Sequence, residues 1–240
     1  MKLTPDGVKG LIAAIDACTV GGVKDVIVDS GFIYGTHPNR AFALISDFNI
    51  PDLGQKAGFS DIGLLRNILD SKDGDVSVET EESDRGEIRS VITKRGRAKL
   101  EFRCTSTSLL KPARKFNDDV YVSLTIDKAG MAEVLRLMSL VKPSKITLSV
   151  KANGAVSFQG TGAGGNNFVY DLETKAEFTD EDDKTTVVFH YIPDVFVNIM
   201  KELNSQYDSY QLGIGQLGTI GGKMAGHSFI MLPFIEEDDI

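Results

Sequence analysis

Hydrophobic positions recur at helical spacing in several stretches of the chain. Val8, Leu11, Ile12 and Ile15 predict one helix, and Met131, Val134, Leu135 and Met138 predict another of the same kind. Shorter helical patterns cover 61–69 and 193–203. Between them the pattern shortens to that of strands. Val26 to Asp29 and Phe32 to Thr36 flank a turn at Ser30-Gly31, and Ile146 to Lys151 and Ala155 to Thr161 flank Asn153-Gly154. Asn-Gly between apolar runs is a hairpin signal, because both turn residues must take positive φ. Further strands are expected at 41–45 and as one run at 168–178. Strands at 75–81, 87–94 and 98–104 close the first half, and 210–214 and 228–234 close the second. The stretch 49–60 is loosely patterned, and the glycine-rich run 213–226 hides its strands.

The order of elements occurs twice. Leu3-Thr4-Pro5-Asp6 returns as Leu124-Thr125-Ile126-Asp127, 124 − 3 = 121 residues later, and each copy leads into a helix. Asp6 and Asp127 are placed as N-caps or first-turn acids. The later helices share Arg66-Asn67-Ile68-Leu69 against Val197-Asn198-Ile199-Met200. Each half therefore reads as helix, strands, helix, strands. The predicted organisation is an α+β chain with two tandem similar domains, 1–104 and 120–240, and a connector at 105–119. The connector is rich in Thr, Ser, Lys and Pro but carries the apolar pair Leu109-Leu110, which a plain linker does not need.

Composition narrows the function classes. With 42% hydrophobic and 25% charged residues the chain is an ordinary globular sequence. It has no apolar run long enough to span a bilayer and no secretory pattern at Met1-Lys2-Leu3-Thr4-Pro5-Asp6, so a cytoplasmic protein without membrane association is expected. Cys18 and Cys104 stand far apart, and His37, His190 and His227 are scattered; neither a metal site nor a cofactor is expected. The net charge of −8 argues against nucleic acid unless the cations are segregated on one surface.

Two glycine patterns raise and then fail an enzymatic reading. Gly160-Thr161-Gly162-Ala163-Gly164-Gly165 follows a strand, but cradling pyrophosphate requires that it open a helix. The residues after it, Phe168, Tyr170, Leu172, Thr174, Ala176 and Phe178, alternate with period two. Gly213 to Gly218 repeats the pattern, again without a helix. Acidic clusters at 79–84 and 179–183 lie in polar segments with nothing to shift a carboxylate pKa. No catalytic residue is assigned, and a non-enzymatic protein is expected.

The opening Met1-Lys2-Leu3, the helix Val134 to Leu140 running through Pro143 into Ile146 to Phe158, and the ending Phe229-Ile230-Met231-Leu232-Pro233-Phe234 followed by acids together resemble DNA polymerase sliding clamps. The pattern and length are similar to phage clamps of T-even type and their archaeal and eukaryotic relatives. This resemblance implies a processivity factor, encoded by a phage on the T-even likeness and then acting in the host cytoplasm. Each domain would pack two helices on antiparallel sheets, with six domains closing a ring and hence a homotrimer of two-domain chains. Helices would line the hole and sheets the outside, with 98–104 of one chain pairing with 168–178 of the next. Double-stranded DNA would be bound without sequence preference, and the polymerase and the clamp loader would dock through short peptides.

A ring of this kind demands basic helix faces. The candidates are Lys9, Lys24, Arg66, Lys72, Lys128, Arg136, Lys142 and Lys201; Asp16, Asp70, Glu133 and Glu202 share the same helices, and Glu133–Arg136 also reads as a plain helical pair. Weak phosphate contacts suffice, because ring closure supplies retention. For the partner pocket the resemblance implies Leu109, Leu110 and Pro112 of the connector, Leu232, Pro233 and Phe234 near the end, and Thr36 and Ala41 beside Arg40. The hairpin Lys94-Arg95-Gly96-Arg97 reads as a charged turn protecting an edge, or as a further patch facing DNA or the loader. A ring- or tube-forming phage structural protein fits the same repeat, but it does not need cations gathered on helices.

Overall fold

A computed structural model describes residues 2–70, 77–83, 86–95, 97–110, 118–180 and 184–234 of the 240-residue chain. The chain is α+β, and by its internal contacts it divides into two compact units. One comprises Met1–Lys115 with Ala225–Phe229, the other Phe116–Met224 with Ile230–Ile240.

In the first unit, α1 (Pro5–Val20) starts where Thr4 Oγ1 accepts from the Gly7 amide at 3.2 Å. Proline at its first position gives up no hydrogen bond, and Asp6 sits in the first turn. The helix ends at Gly21-Gly22, where Gly22 takes φ +72. Then follow β1 (Asp25–Asp29), β2 (Phe32–Thr36), β3 (Phe42–Ser46) and β4 (Ala57–Ser60). These form one antiparallel sheet in the order β3-β2-β1-β4. The β1–β2 turn puts both Ser30 and Gly31 at positive φ, as a tight hairpin requires. Helix α2 (Ile62–Leu69) is capped by Asp61, whose carboxylate accepts from Leu64 N. A second sheet holds β5 (Ser77–Glu82), β6 (Ile88–Arg95) and β7 (Ala98–Arg103), with Lys2 bridging to Glu79. Leu11 and Ile15 of α1 and Leu65 of α2 pack with Val28, Ile33, Phe42, Leu44 and Phe59 in a buried core.

The second unit repeats the plan. After β8 (Val120–Asp127), α3 (Lys128–Val141) is capped by Asp127, which accepts from Gly130 N at 2.7 Å. Lys142 in the left-handed region, followed by Pro143, stops it. Strands β9 (Pro143–Val150), β10 (Val156–Gly162), β11 (Asn167–Asp171), β12 (Glu177–Phe178) and β13 (Val187–Tyr191) precede α4 (Pro193–Gln206). One sheet runs β11-β10-β9-β13, the order of the first unit's sheet position for position; a second runs β12-β8-β14-β15. Here β14 is Ser209–Gly215 and β15 is Ile220–Met224, with β16 (His227–Met231) following through the Ala225-Gly226 turn. Where Lys2 touches β5 in the first unit, β8 pairs with β14 along its length in the second.

Three expectations need correction. The run 168–178 is not one strand: β11 ends at Asp171, and β12 pairs with β8 instead of β10. Leu172 and Ala176 are both buried, so side chains keep alternating through the corner and the sequence gives no sign of it. The repeat is also out of register as matched by sequence. Thr4 and Asp127 cap equivalent helices, 127 − 4 = 123 residues apart, because Ile126 extends β8 where Pro5 already begins α1. Lastly, β4, β8, β13 and β15 have no counterpart in the predicted elements.

The glycine runs serve turns. Gly164 and Gly165 take positive φ in a short 3-10 turn from β10 into β11, and Gly213 to Gly218 lead from β14 towards β15. The hairpin between β6 and β7 closes with Arg95 opposite Ala98, and Lys94 is tied to Glu79 at 2.8 Å.

Candidate DNA and partner interfaces

Helix-borne cations are mostly committed to carboxylates. In the first unit, Arg66 Nε donates to Asp16 of α1 at 2.8 Å and its Nη1 to Asp70 at 2.7 Å. Those bonds and charges, Asp16 first, push the guanidinium pKa up. Lys9 stands 3.9 Å from Asp6, both exposed. In the second unit, Arg136 grips Glu133 with two bonds of 2.7 and 2.6 Å, which holds the Glu133 carboxyl below its usual range. Lys128 lies 3.5 Å from Asp208. Exposed Lys24, Lys142 and Lys201 form no ion pair with a described residue. Lys72 lies outside the described residues. Asp16–Arg66 joins α1 to α2 across 50 positions and has no counterpart in the sequence pattern.

The connector candidates meet a specific surface of the first unit. In β1 to β3, Val26, Val28, Ile33, Phe42 and Leu44 alternate towards the core, so the residues between them face the other way. Cross-strand register then lines up Gly58, Ile27, Tyr34 and Ile45 in one row across β4, β1, β2 and β3. Thr105 N donates to Gly58 O at 2.8 Å, and the Ser60 and Thr105 hydroxyls are 2.6 Å apart, so the chain after β7 lies over β4. A Cβ on Gly58 would stand 2.3 Å from Thr105 O and 2.9 Å from Leu110 Cδ1. Glycine is what lets Leu110 settle at the end of that row.

Ala43 and Thr36 continue the same face, and Phe32 stacks on Tyr34 at 6.1 Å between ring centroids. Ala41 is buried; Arg40 is exposed at φ 58. Leu109 stays 76% exposed beside half-buried Leu110. In the second unit, Leu232 and Pro233 are half-buried and Phe234 N donates to His190 O at 2.6 Å. Pro112 lies outside the described residues. Ile27, Tyr34 and Ile45 were not among the candidates. Both faces of these strands are apolar, so alternation alone could not show that one of them is left partly open.

The chemistry of the remaining groups is quiet. His227 is fully buried, with Nδ1 3.0 Å from Ser46 Oγ and Phe48 edge-on at 5.7 Å. Ser46 Oγ also accepts from Phe48 N, and burial lowers the His227 pKa. Burial pushes the Cys18 and Cys104 thiols up to about 12, away from nucleophilic use. Among the described residues no three of His, Cys, Asp and Glu come together as a metal site, and no helix is long and apolar enough to cross a membrane.

No protein-family model matches the chain, and comparison with curated proteins gives no match. Solved structures do match. A. fulgidus PCNA, bound to the C-terminal region of FEN-1, is 13% identical with a TM-score of 0.61 over 98% of each chain. The PCNA2-PCNA3 complex of Sulfolobus tokodaii gives 13% identity and a TM-score of 0.60 over 98% of this chain and 99% of that one. DNA polymerase III subunit beta of Pseudomonas aeruginosa gives 12% identity and a TM-score of 0.69, with 96% of this chain matching 64% of that one. At such identities the likeness is one of fold, and it covers both units. The chain has the fold of the DNA sliding clamps.

Proposed function

We propose that this chain is the subunit of a homotrimeric sliding clamp, a ring around duplex DNA that tethers a replicative polymerase. It acts as a scaffold in the cytoplasm, with no catalytic residue, metal or cofactor. Domains 1–104 and 120–240 with the connector 105–119 supply two of six ring positions. The observation that carries this reading is the repeated topology, β3-β2-β1-β4 and β11-β10-β9-β13, together with likeness to clamps over nearly the whole chain. Strand edges support it. β7 ends its sheet with Lys99, Leu100 and Arg103 exposed, and β11 ends its own with Val169 and Asp171 exposed. Joining these edges between copies would cover Leu100 and Val169 and remove two unpaired edges.

Partners dock, in this reading, on the row Ile27–Tyr34–Ile45 beside Leu110 of the first unit. A terminal segment of FEN-1 bound to the A. fulgidus protein is the precedent. The test is mass and topology together. Light scattering is expected to give three times 26.1 kDa. Protein loaded on nicked circular duplex is expected to stay bound and to leave when the circle is cut. A persistent monomer, or equal retention on linear DNA, would overturn the assignment.

A further inference from the structure

The first residues of the connector are held by a side chain that belongs neither to the connector nor to the docking row. After β7 the chain crosses β4 at Gly58 and Ser60, then makes a single 3-10 turn at Thr107–Leu109. Such a turn leaves its first amides without acceptors, and a side chain at the N-cap commonly answers one of them. Ser106 stands at that position and does not: its hydroxyl lies 3.0 Å from the Ser108 hydroxyl, and it makes no cap bond. The Thr107 amide donates instead to Glu87 Oε1 at 3.3 Å, and the Thr107 hydroxyl donates to the same oxygen. Glu87 is half-buried and precedes Thr107 by 20 positions. It is itself fixed in place. Its carbonyl accepts from Ser83 N at 2.8 Å, and the following Ile88 N donates to Lys56 O at 2.7 Å, just ahead of β4.

From Thr107 the constraint passes to Leu110. Leu109 N donates to Ser106 O at 3.0 Å and Leu110 N to Thr107 O at 3.2 Å, which closes the turn. Leu109 is left exposed, while Leu110 Cδ1 comes to 2.9 Å from where a Gly58 Cβ would stand, at the end of the row Ile27–Tyr34–Ile45. The bond of Thr105 N to Gly58 O does not place Leu110 by itself, because 110 − 105 = 5 positions of chain lie between them. We propose that Glu87 is a positioning residue for partner binding: through Thr107 it keeps the first turn of the connector closed and Leu110 seated beside the row. This rests on the docking reading above. Leu110 then meets an incoming peptide already ordered, so that its freedom is lost on folding and not on binding.

The test uses the full chain. In the free protein, NMR of isotope-labelled leucine methyls is expected to show the Leu110 signals moving towards free-leucine positions in Glu87→Ala. They should keep their place in Glu87→Gln, which still offers an oxygen to Thr107. A fluorescein-labelled synthetic peptide with a Leu-Phe anchor is then followed by anisotropy. Glu87→Ala is expected to bind it about three- to tenfold more weakly, the cost of ordering one or two more side chains, and Glu87→Gln to stay within about twofold of the parent. Thr107→Val, which loses the hydroxyl and keeps the amide bond, is expected to fall between. In a Leu110→Ala background, Glu87→Ala is expected to change binding no further, whereas general loosening of the fold would weaken it in both backgrounds. Unmoved Leu110 signals in Glu87→Ala, or an equal loss of affinity in both backgrounds, would overturn the positioning role and leave the docking row standing. If the parent does not bind the peptide, or binds it as tightly after Tyr34→Ala, the docking reading fails and takes the proposal with it, even where the methyl signals show Glu87 seating Leu110.

Discussion

Two glycines on the helices of the first unit should respond to alanine with opposite signs. Helix propensity alone favours alanine over glycine by about 1 kcal/mol at either place. At Gly63, on α2, the nearest atom to an added Cβ is Asp61 Oδ1 at 3.8 Å, an ordinary contact. Gly63→Ala is therefore expected to stabilise by roughly 0.5–1 kcal/mol, near the helix start where propensity counts least. At Gly10, on α1, the Cβ would lie 1.9 Å from the Asn49 carbonyl oxygen and 2.8 Å from its carbon. Asn49 is itself held at φ 54 and Ile50 behind it is buried, so the obstacle is backbone with little freedom to retreat. Overpacking of this kind costs about 1–3 kcal/mol or more, which outweighs the propensity gain. Gly10→Ala should lose about 1–2 kcal/mol net, a fall of a few degrees in Tm for a chain of this size. Paired urea titrations of the two variants measure this directly. A Gly10→Ala protein as stable as the parent would mean that the 48–51 loop does not seat on α1 as described.

Three further outcomes are expected. His37 and His227 both have lowered pKa values in the fold, so on acidification the unfolded chain binds protons first. Their stabilising effect is whole above the unfolded value of about 6.5 and is lost as pH falls through the folded values, so the urea midpoint should drop between pH 7.5 and 5.5; an unchanged midpoint would refute it. Asp127→Ala should cost about 1 kcal/mol by uncapping α3, while Asp127→Asn, which still offers an acceptor to Gly130 N, should cost much less; equal losses in thermal melts would refute the cap. Lys201→Gln should flatten the salt dependence of duplex binding, by a slope change of about 0.9 per lost phosphate contact, while Arg66→Gln should not; the same change in both would mean that Arg66 is free to reach DNA.

Much of the fold was legible because local signals agreed with it. Leu11 and Ile15, read as one helix face, are buried, and Val8 and Ile12 border them. Ser30-Gly31 turns the chain with both residues at positive φ, whereas at Asn153-Gly154 only Gly154 takes it, in a loop closed by Lys151 N on Ala155 O. What stayed hidden was hidden by glycine and by distance. Gly58 lies in β4 because the Thr105 carbonyl crosses it, and Gly213 lies in β14 against Val120; each erases one side of an alternation. The docking row was obscured because Ile27, Tyr34 and Ile45 look like core until register separates the two faces. Ion pairs between distant residues, Asp16 with Arg66 above all, leave no local trace, so a list of cations overstated the charge that the helices offer.

That overstatement bears on how the proposed ring would hold DNA. Arg66 between Asp16 and Asp70 is a triad of net charge 1 − 2 = −1, and Glu133–Arg136 is neutral. Among the described candidates, Lys24, Lys142 and Lys201 remain without an ion pair, and Lys24 borders the sheet. Fields from so few exposed lysines are screened within about 8 Å at physiological salt, so a duplex merely touching one subunit gains little. The overall charge of −8 works against it further. Affinity of that kind does not keep a protein on DNA, but it also does not hinder motion along it. Retention must then come from closure, and the edges β7 and β11 matter more to it than any single cation. A change that blocks edge pairing, such as Glu101→Pro on the exposed rim of β7, whose amide faces away from β6, should release DNA at physiological salt even with every lysine in place. Retention by such an open protein would show that the helices bind DNA on their own.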